Sequence, residues 1–215
     1  MKPAALSTVA LAAAAVIGAA CSSKEPADPP PPGASVPAAA AAPAEPAAPS
    51  RFHQVLELQG VTFTVTCDND SSINQLSIVP AGLEIDNMSI TQDVDGTVVG
   101  AEVADLDANG SPELYVYVRS AGSGSYGSLV AYAANKRKSL SGIYLPPVAD
   151  NATTAKGYMG HDEFAVVENR LVQRFPIYLD GDTNATPTGG TRQVQYKLVP
   201  GEAGWRLSVD RVVEY

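Results

Sequence analysis

Residues 114–133 read LYVYVRSAGSGSYGSLVAYA, and this stretch leaves few folds open. Leu114, Val116 and Val118 alternate with Tyr115 and Tyr117, which is the two-residue period of a strand. Residues 129–132 have the composition of a returning strand. Between the two, residues 120–128 hold only Ser, Gly, one Ala and Tyr126. Such a segment carries no long apolar side chain to draw it into a core. The stretch therefore reads as a hairpin whose loop projects.

Short runs of the same kind recur along the chain. Residues 61–67, 76–79, 98–104, 164–167, 171–178, 192–199 and 205–215 all have strand composition. They are separated by turn formers: Pro80, Pro146-Pro147, Asp180-Gly181 and the Pro200–Gly204 segment. Asp95-Gly96 predicts a further hairpin. No segment has the period of a helix longer than two turns, and no repeat of solenoid length is present. These features predict an all-β fold, an antiparallel β-sandwich of about eight strands.

The first 50 residues differ in kind. Lys2, an apolar run over 9–20 and small residues before Cys21 have the pattern of an export signal over residues 1–20. The run is too short for a membrane span of about 20 residues. Ile17-Gly18-Ala19-Ala20-Cys21 resembles the lipobox of bacterial lipoproteins, which implies a lipidated Cys21 inserted in a lipid membrane. Residues 22–50 are rich in Ala and Pro and lack aromatics, so 21–50 is expected to be a disordered linker behind the lipid anchor. Ser22 in place of Asp favours the outer membrane, facing the periplasm. Residues 51–215 are long enough for one domain with a core.

Net charge is −9, which argues against a nucleic-acid partner and suits steering toward a basic protein. Cys67 shares a strand face with Val61, Phe63 and Val65, so it is expected to be buried and inert. Gly122–Gly127 matches the G-x-G-x-x-G spacing, but that motif needs a following helix, which is not expected here. Neither Ser123 nor Ser125 has the flanking glycines of a serine nucleophile elbow. No enzyme and no cofactor is expected. Asp105-x-Asp107-x-Asn109-Gly110 matches the first half of a calcium loop, but Val116 stands where a bidentate Glu is needed. That leaves two readings, a weak calcium site at Asp105, Asp107 and Asn109, or a turn whose carboxylates cap their own backbone. His161-Asp162-Glu163 lacks a second His for zinc and reads as a loop organiser.

Four segments together carry a family resemblance. They are 120–132 (SAGSGSYGSLVAY), 157–164 (GYMGHDEF), 181–192 (GDTNATPTGGTR) and 196–205 (YKLVPGEAGW). In this order they resemble bacterial periplasmic inhibitors of invertebrate-type lysozyme, over nearly all of residues 60–213. The resemblance implies an eight-stranded antiparallel sandwich, a homodimer in many members, and a protruding loop that enters the lysozyme cleft. It implies lysozyme contacts from Ser123, Gly124, Ser125 and Tyr126, with Arg192 in a second contact region. The alternative from the residues alone is a non-enzymatic envelope-binding or structural lipoprotein, with the weak calcium site.

Overall fold

The computed structural model describes residues 51–215. The expected export segment 1–20, the lipidated Cys21 and the linker through residue 50 lie outside the described residues. The chain there forms two sheets. The first is an antiparallel meander of β1 (Phe52–Leu58), β2 (Val61–Cys67), β3 (Ile73–Ala81) and β4 (Ile90–Asp95). The second holds β5 (Thr97–Ala104), β6 (Glu113–Arg119), β7 (Gly127–Asn135), β8 (Ser139–Tyr144), β9 (Glu163–Val167), β10 (Arg170–Pro176), β11 (Thr191–Pro200) and β12 (Trp205–Glu214). Its spatial order is β5-β6-β7-β8-β12-β11-β10-β9. Neighbours are antiparallel except β8 and β12, which meet in parallel through Trp205 opposite Ile143 and Arg206 opposite Tyr144.

The all-β expectation holds, but the simple eight-stranded sandwich does not. The described residues form twelve strands, divided four and eight, and the larger sheet curls until it is nearly a barrel. Its outer strands, β5 and β9, are brought together by side chains. The Glu102 carboxylate on β5 accepts the Tyr117 hydroxyl at 2.5 Å and the Val166 backbone N–H of β9 at 2.5 Å. Tyr117 also stacks on Phe164 of β9, with ring centroids 5.7 Å apart.

Two cores result, and β6 serves both. Leu114, Val116 and Val118 pack with Phe63, Val65, Leu76 and Ile78 between the two sheets. Tyr115 and Tyr117 point the other way, into the curled sheet, with Leu171, Phe175, Val194, Tyr196 and Leu207. Residues 113–118 are consequently all buried. Aliphatic residues alternating with tyrosines thus mark a strand with no solvent face, where apolar alternating with polar would leave one face wet. Cys67 is buried in the first core, as a free thiol.

Two local expectations are corrected. Asp95-Gly96 is not a hairpin, since β4 and β5 belong to different sheets. Gly96 has φ +121 and lies so close to the Arg119 and Ser120 backbone that a Cβ would collide with it. Its carbonyl accepts from the buried Asn74 side chain at 2.8 Å. The glycine serves a crossover between sheets, which local sequence does not distinguish from a turn. Pro80 does not end β3. It lies opposite Phe63 of β2, while the pairing with β4 stops at Ile78. On its other side no N–H is required, so proline is tolerated.

Replacing Glu102 by Ala leaves the Tyr117 hydroxyl and the Val166 N–H without their acceptor at the seam. Equilibrium urea unfolding should show a loss of ~2 kcal/mol for Glu102→Ala and a smaller loss for Glu102→Gln, which keeps an acceptor oxygen.

Candidate functional site: a clamped finger

The β6–β7 pairing runs to Arg119 opposite Gly127, so the loop comprises residues 120–126. The Ser120 N–H donates to the Tyr126 carbonyl at 2.9 Å and closes its base. The Ser125 N–H donates to the Gly122 carbonyl at 2.9 Å and makes the turn, with Ser125 at φ +41. Ala121, Gly122 and Ser123 are exposed, and Tyr126 is 48% exposed. The Ser123 hydroxyl makes no hydrogen bond among the described residues. The finger therefore projects, as the sequence predicts.

It is not free-standing, however. The Tyr126 ring lies against Gly124, where a Cβ would come within 2.5 Å of it. The edge of the Tyr126 ring meets Tyr158 at 5.7 Å, and Tyr158 packs on Phe175 at 4.7 Å. The His161 backbone N–H donates to the Gly124 carbonyl at 2.7 Å. Gly160, at φ +91, approaches that same carbonyl too closely for any side chain. From the loop after β10, the Asn184 amide donates to the Ser123 carbonyl at 2.7 Å. Ser123, Gly124, Ser125 and Tyr126, the group that the family resemblance implies, all lie in this loop.

Below the finger lies Asp162, 5% exposed. Its carboxylate accepts the Gly127 N–H at 2.8 Å, the Tyr158 hydroxyl at 2.8 Å and the Gln173 amide at 2.7 Å. Gln173 in turn accepts the Tyr196 hydroxyl at 2.7 Å. Burial pushes the Asp162 carboxyl upward, and the three donors pull against that shift. The expectation that His161-Asp162-Glu163 organises a loop matches this geometry, with Asp162 as the organising member.

Arg192 is not part of the finger. It is 4% exposed and lies over the Phe175 ring. Its guanidinium donates to the Thr154 carbonyl at 2.8 Å and the Lys156 carbonyl at 2.5 Å, and pairs with Glu214 at 2.7 Å. A guanidinium so enclosed fastens the short helix Ala152–Ala155 to β11 and offers no surface to a partner.

The acidic turn between β5 and β6 is built by its own carboxylates. Asp105 accepts the Asn109 N–H at 2.9 Å, the Gly110 N–H at 2.9 Å and the Gln59 amide at 2.7 Å. Asp107 accepts the Asn109 side-chain amide at 2.8 Å, and the Asn109 side-chain oxygen accepts the Ser111 N–H at 2.8 Å. Oxygens of Asp105, Asp107 and Glu113 lie within 4.8 Å of one another. Glu113, 1% exposed, accepts the Leu106 N–H at 2.8 Å. Desolvation, with lesser repulsion from Asp107 and Asp105, lifts its carboxyl from 4.5 to about 8. Counted from Asp105, Glu113 stands at the ninth position of a calcium loop, and local sequence does not show that it is buried beneath the turn.

Residues 86–156 match a family model, that of the periplasmic lysozyme inhibitor of I-type lysozyme. No curated protein and no solved structure matches the chain. The matched residues include the acidic turn, β6, the whole finger and β7. They stop before the loops carrying His161, Asp162 and Asn184, and so are narrower than the resemblance over 60–213. The G-x-G-x-x-G spacing runs from the finger into the first residue of β7, between antiparallel strands, which is not the strand-to-helix context that a nucleotide site requires. Local sequence does not mark Asn184 or Gln173, because their roles depend on β10 and the loop after it folding beneath the hairpin.

Two outcomes follow. Asp162→Ala leaves one buried and two part-buried donors unmet, and calorimetric or urea unfolding should show a loss on the order of 3 kcal/mol. Glu113 binds its proton more tightly folded than unfolded. Its contribution is therefore complete below pH 4.5 and is lost as pH rises toward about 8. Stability measured against pH across that window should fall in the wild type and fall less in Glu113→Gln.

Proposed function

We propose that this chain is a proteinaceous inhibitor of invertebrate-type lysozyme that acts by inserting residues 120–126 into the enzyme's active-site cleft. One observation carries the reading. An exposed Ser123 and a half-exposed Tyr126 stand on a finger held in shape by the body, inside the stretch that matches the lysozyme-inhibitor model.

The chemistry suits such a target. Retaining glycosidases of the lysozyme type work with two carboxyl groups across a cleft, one kept protonated by apolar surroundings. The Ser123 hydroxyl can donate to a carboxylate or accept from a protonated acid. Tyr126 adds a rigid ring with few torsions to freeze, and its phenol gives a polar end. Gly122 and Gly124 keep the finger narrow. No bond is made or broken, and substrate is excluded by occupancy. In this reading Cys21 anchors the chain by lipid in the bacterial envelope, in the outer membrane facing the periplasm, where the inhibitor shields peptidoglycan. The envelope-binding alternative with calcium at Asp105, Asp107 and Asn109 gains less, because those side chains already accept the turn's own N–H groups.

Titration of the full chain against invertebrate-type, chicken-type and goose-type lysozymes tests the proposal, and selective loss of the first activity is expected. Tyr126→Ala should weaken inhibition at least roughly 30-fold, the effect of a hot-spot truncation of ~2 kcal/mol. Ser123→Ala should weaken it less. Both variants should melt within a few degrees of wild type, since neither side chain belongs to a core. Undiminished inhibition by the double variant would remove the finger from the mechanism.

A further inference from the structure

We infer that Asn184 is a positioning residue for the finger, so that the loop between β10 and β11 belongs to the inhibitory apparatus without touching the enzyme's catalytic groups. This rests on the proposed inhibitor reading and assigns a part to a loop that the family match does not reach.

The argument begins with the loop itself. Asp182 accepts the Leu179 N–H at 2.7 Å, the Thr188 N–H at 2.8 Å and the Thr188 hydroxyl at 2.8 Å. The Thr183 and Thr186 hydroxyls meet at 2.6 Å. At the loop's base, Ile177 and Gly190 are joined by a backbone hydrogen bond of 2.9 Å, and Ile177 and Gly189 by another of 2.9 Å. The Tyr178 hydroxyl donates to the Asn184 carbonyl at 3.0 Å. Asn184 is thus presented from a braced support.

Its amide uses its two ends differently. The NH₂ donates to the Ser123 carbonyl at 2.7 Å, while the oxygen faces the His161 ring nitrogen Nε2 at 3.3 Å. The His161 backbone N–H holds the adjacent carbonyl, that of Gly124. Two successive carbonyls of the finger are therefore gripped from two loops far away in sequence. A Ser/Gly loop without such grips would sample many shapes, and a partner would have to restrict them on binding. Fixing the Ser123 carbonyl also restrains the backbone from which its side chain is presented. Asn184 supplies that restraint before the encounter.

The test uses the full chain carrying Asn184→Ala or Asn184→Asp. The Asp variant keeps the size and an oxygen toward His161 but loses the donor. Amide hydrogen exchange at Ser125, whose N–H closes the finger turn, should quicken by about fivefold in both, the factor equivalent to one ordinary hydrogen bond of ~1 kcal/mol. Amides of β6 should not follow. Inhibition of invertebrate-type lysozyme should weaken by a similar factor. Unchanged Ser125 exchange in both variants, or faster exchange with full inhibition, overturns this inference while leaving the finger's role intact. A wild-type chain that leaves the lysozyme active overturns both.

Discussion

The structure depends on a strand that has no outside. β6 sends Leu114, Val116 and Val118 into one core and Tyr115 and Tyr117 into another, and residues 113–118 are all shielded from water. A strand buried on both faces cannot slip in register without moving its residues into the wrong core. Everything attached to its end inherits that precision. The finger begins one residue after β6 ends and finishes one residue before β7 begins, so its base is as fixed as the core itself.

A fixed base does not by itself fix a tip. The tip residues are small and polar and bury nothing, so they cannot hold one shape by packing. The curled sheet solves this by bringing distant segments under and beside the finger. Asp162 takes the Gly127 N–H from below, His161 takes the Gly124 carbonyl, and Tyr158 supports the Tyr126 ring. The result combines exposure with bracing, which suits the proposed insertion into a cleft, since binding then spends less of its energy on ordering.

Charge is handled by enclosure. Glu113, Asp162 and Arg192 are all buried, yet each has partners that the turn, the finger base or the short helix provides. Such groups fix geometry more than they add stability, since removing either partner leaves an unmet polar atom in a dry place. Arg192 illustrates how misleading an isolated arginine is. The family resemblance implies a contact residue, and in the fold it is enclosed over the Phe175 ring and paired with Glu214.

The sequence by itself determined the strand character, the projecting Ser/Gly/Tyr loop and the buried Cys67. Period-two alternation and the lack of large apolar side chains are local properties, and they act wherever the segment ends up. It did not determine that twelve strands divide four and eight, that Asp95-Gly96 crosses between sheets, or that Pro80 lies inside β3. Those depend on which backbone groups find partners far along the chain. Only the tertiary structure decided that Asn184 would grip Ser123 across 61 residues. A hydrogen bond between remote segments leaves no periodicity behind, and its existence is settled by how the sheet curls.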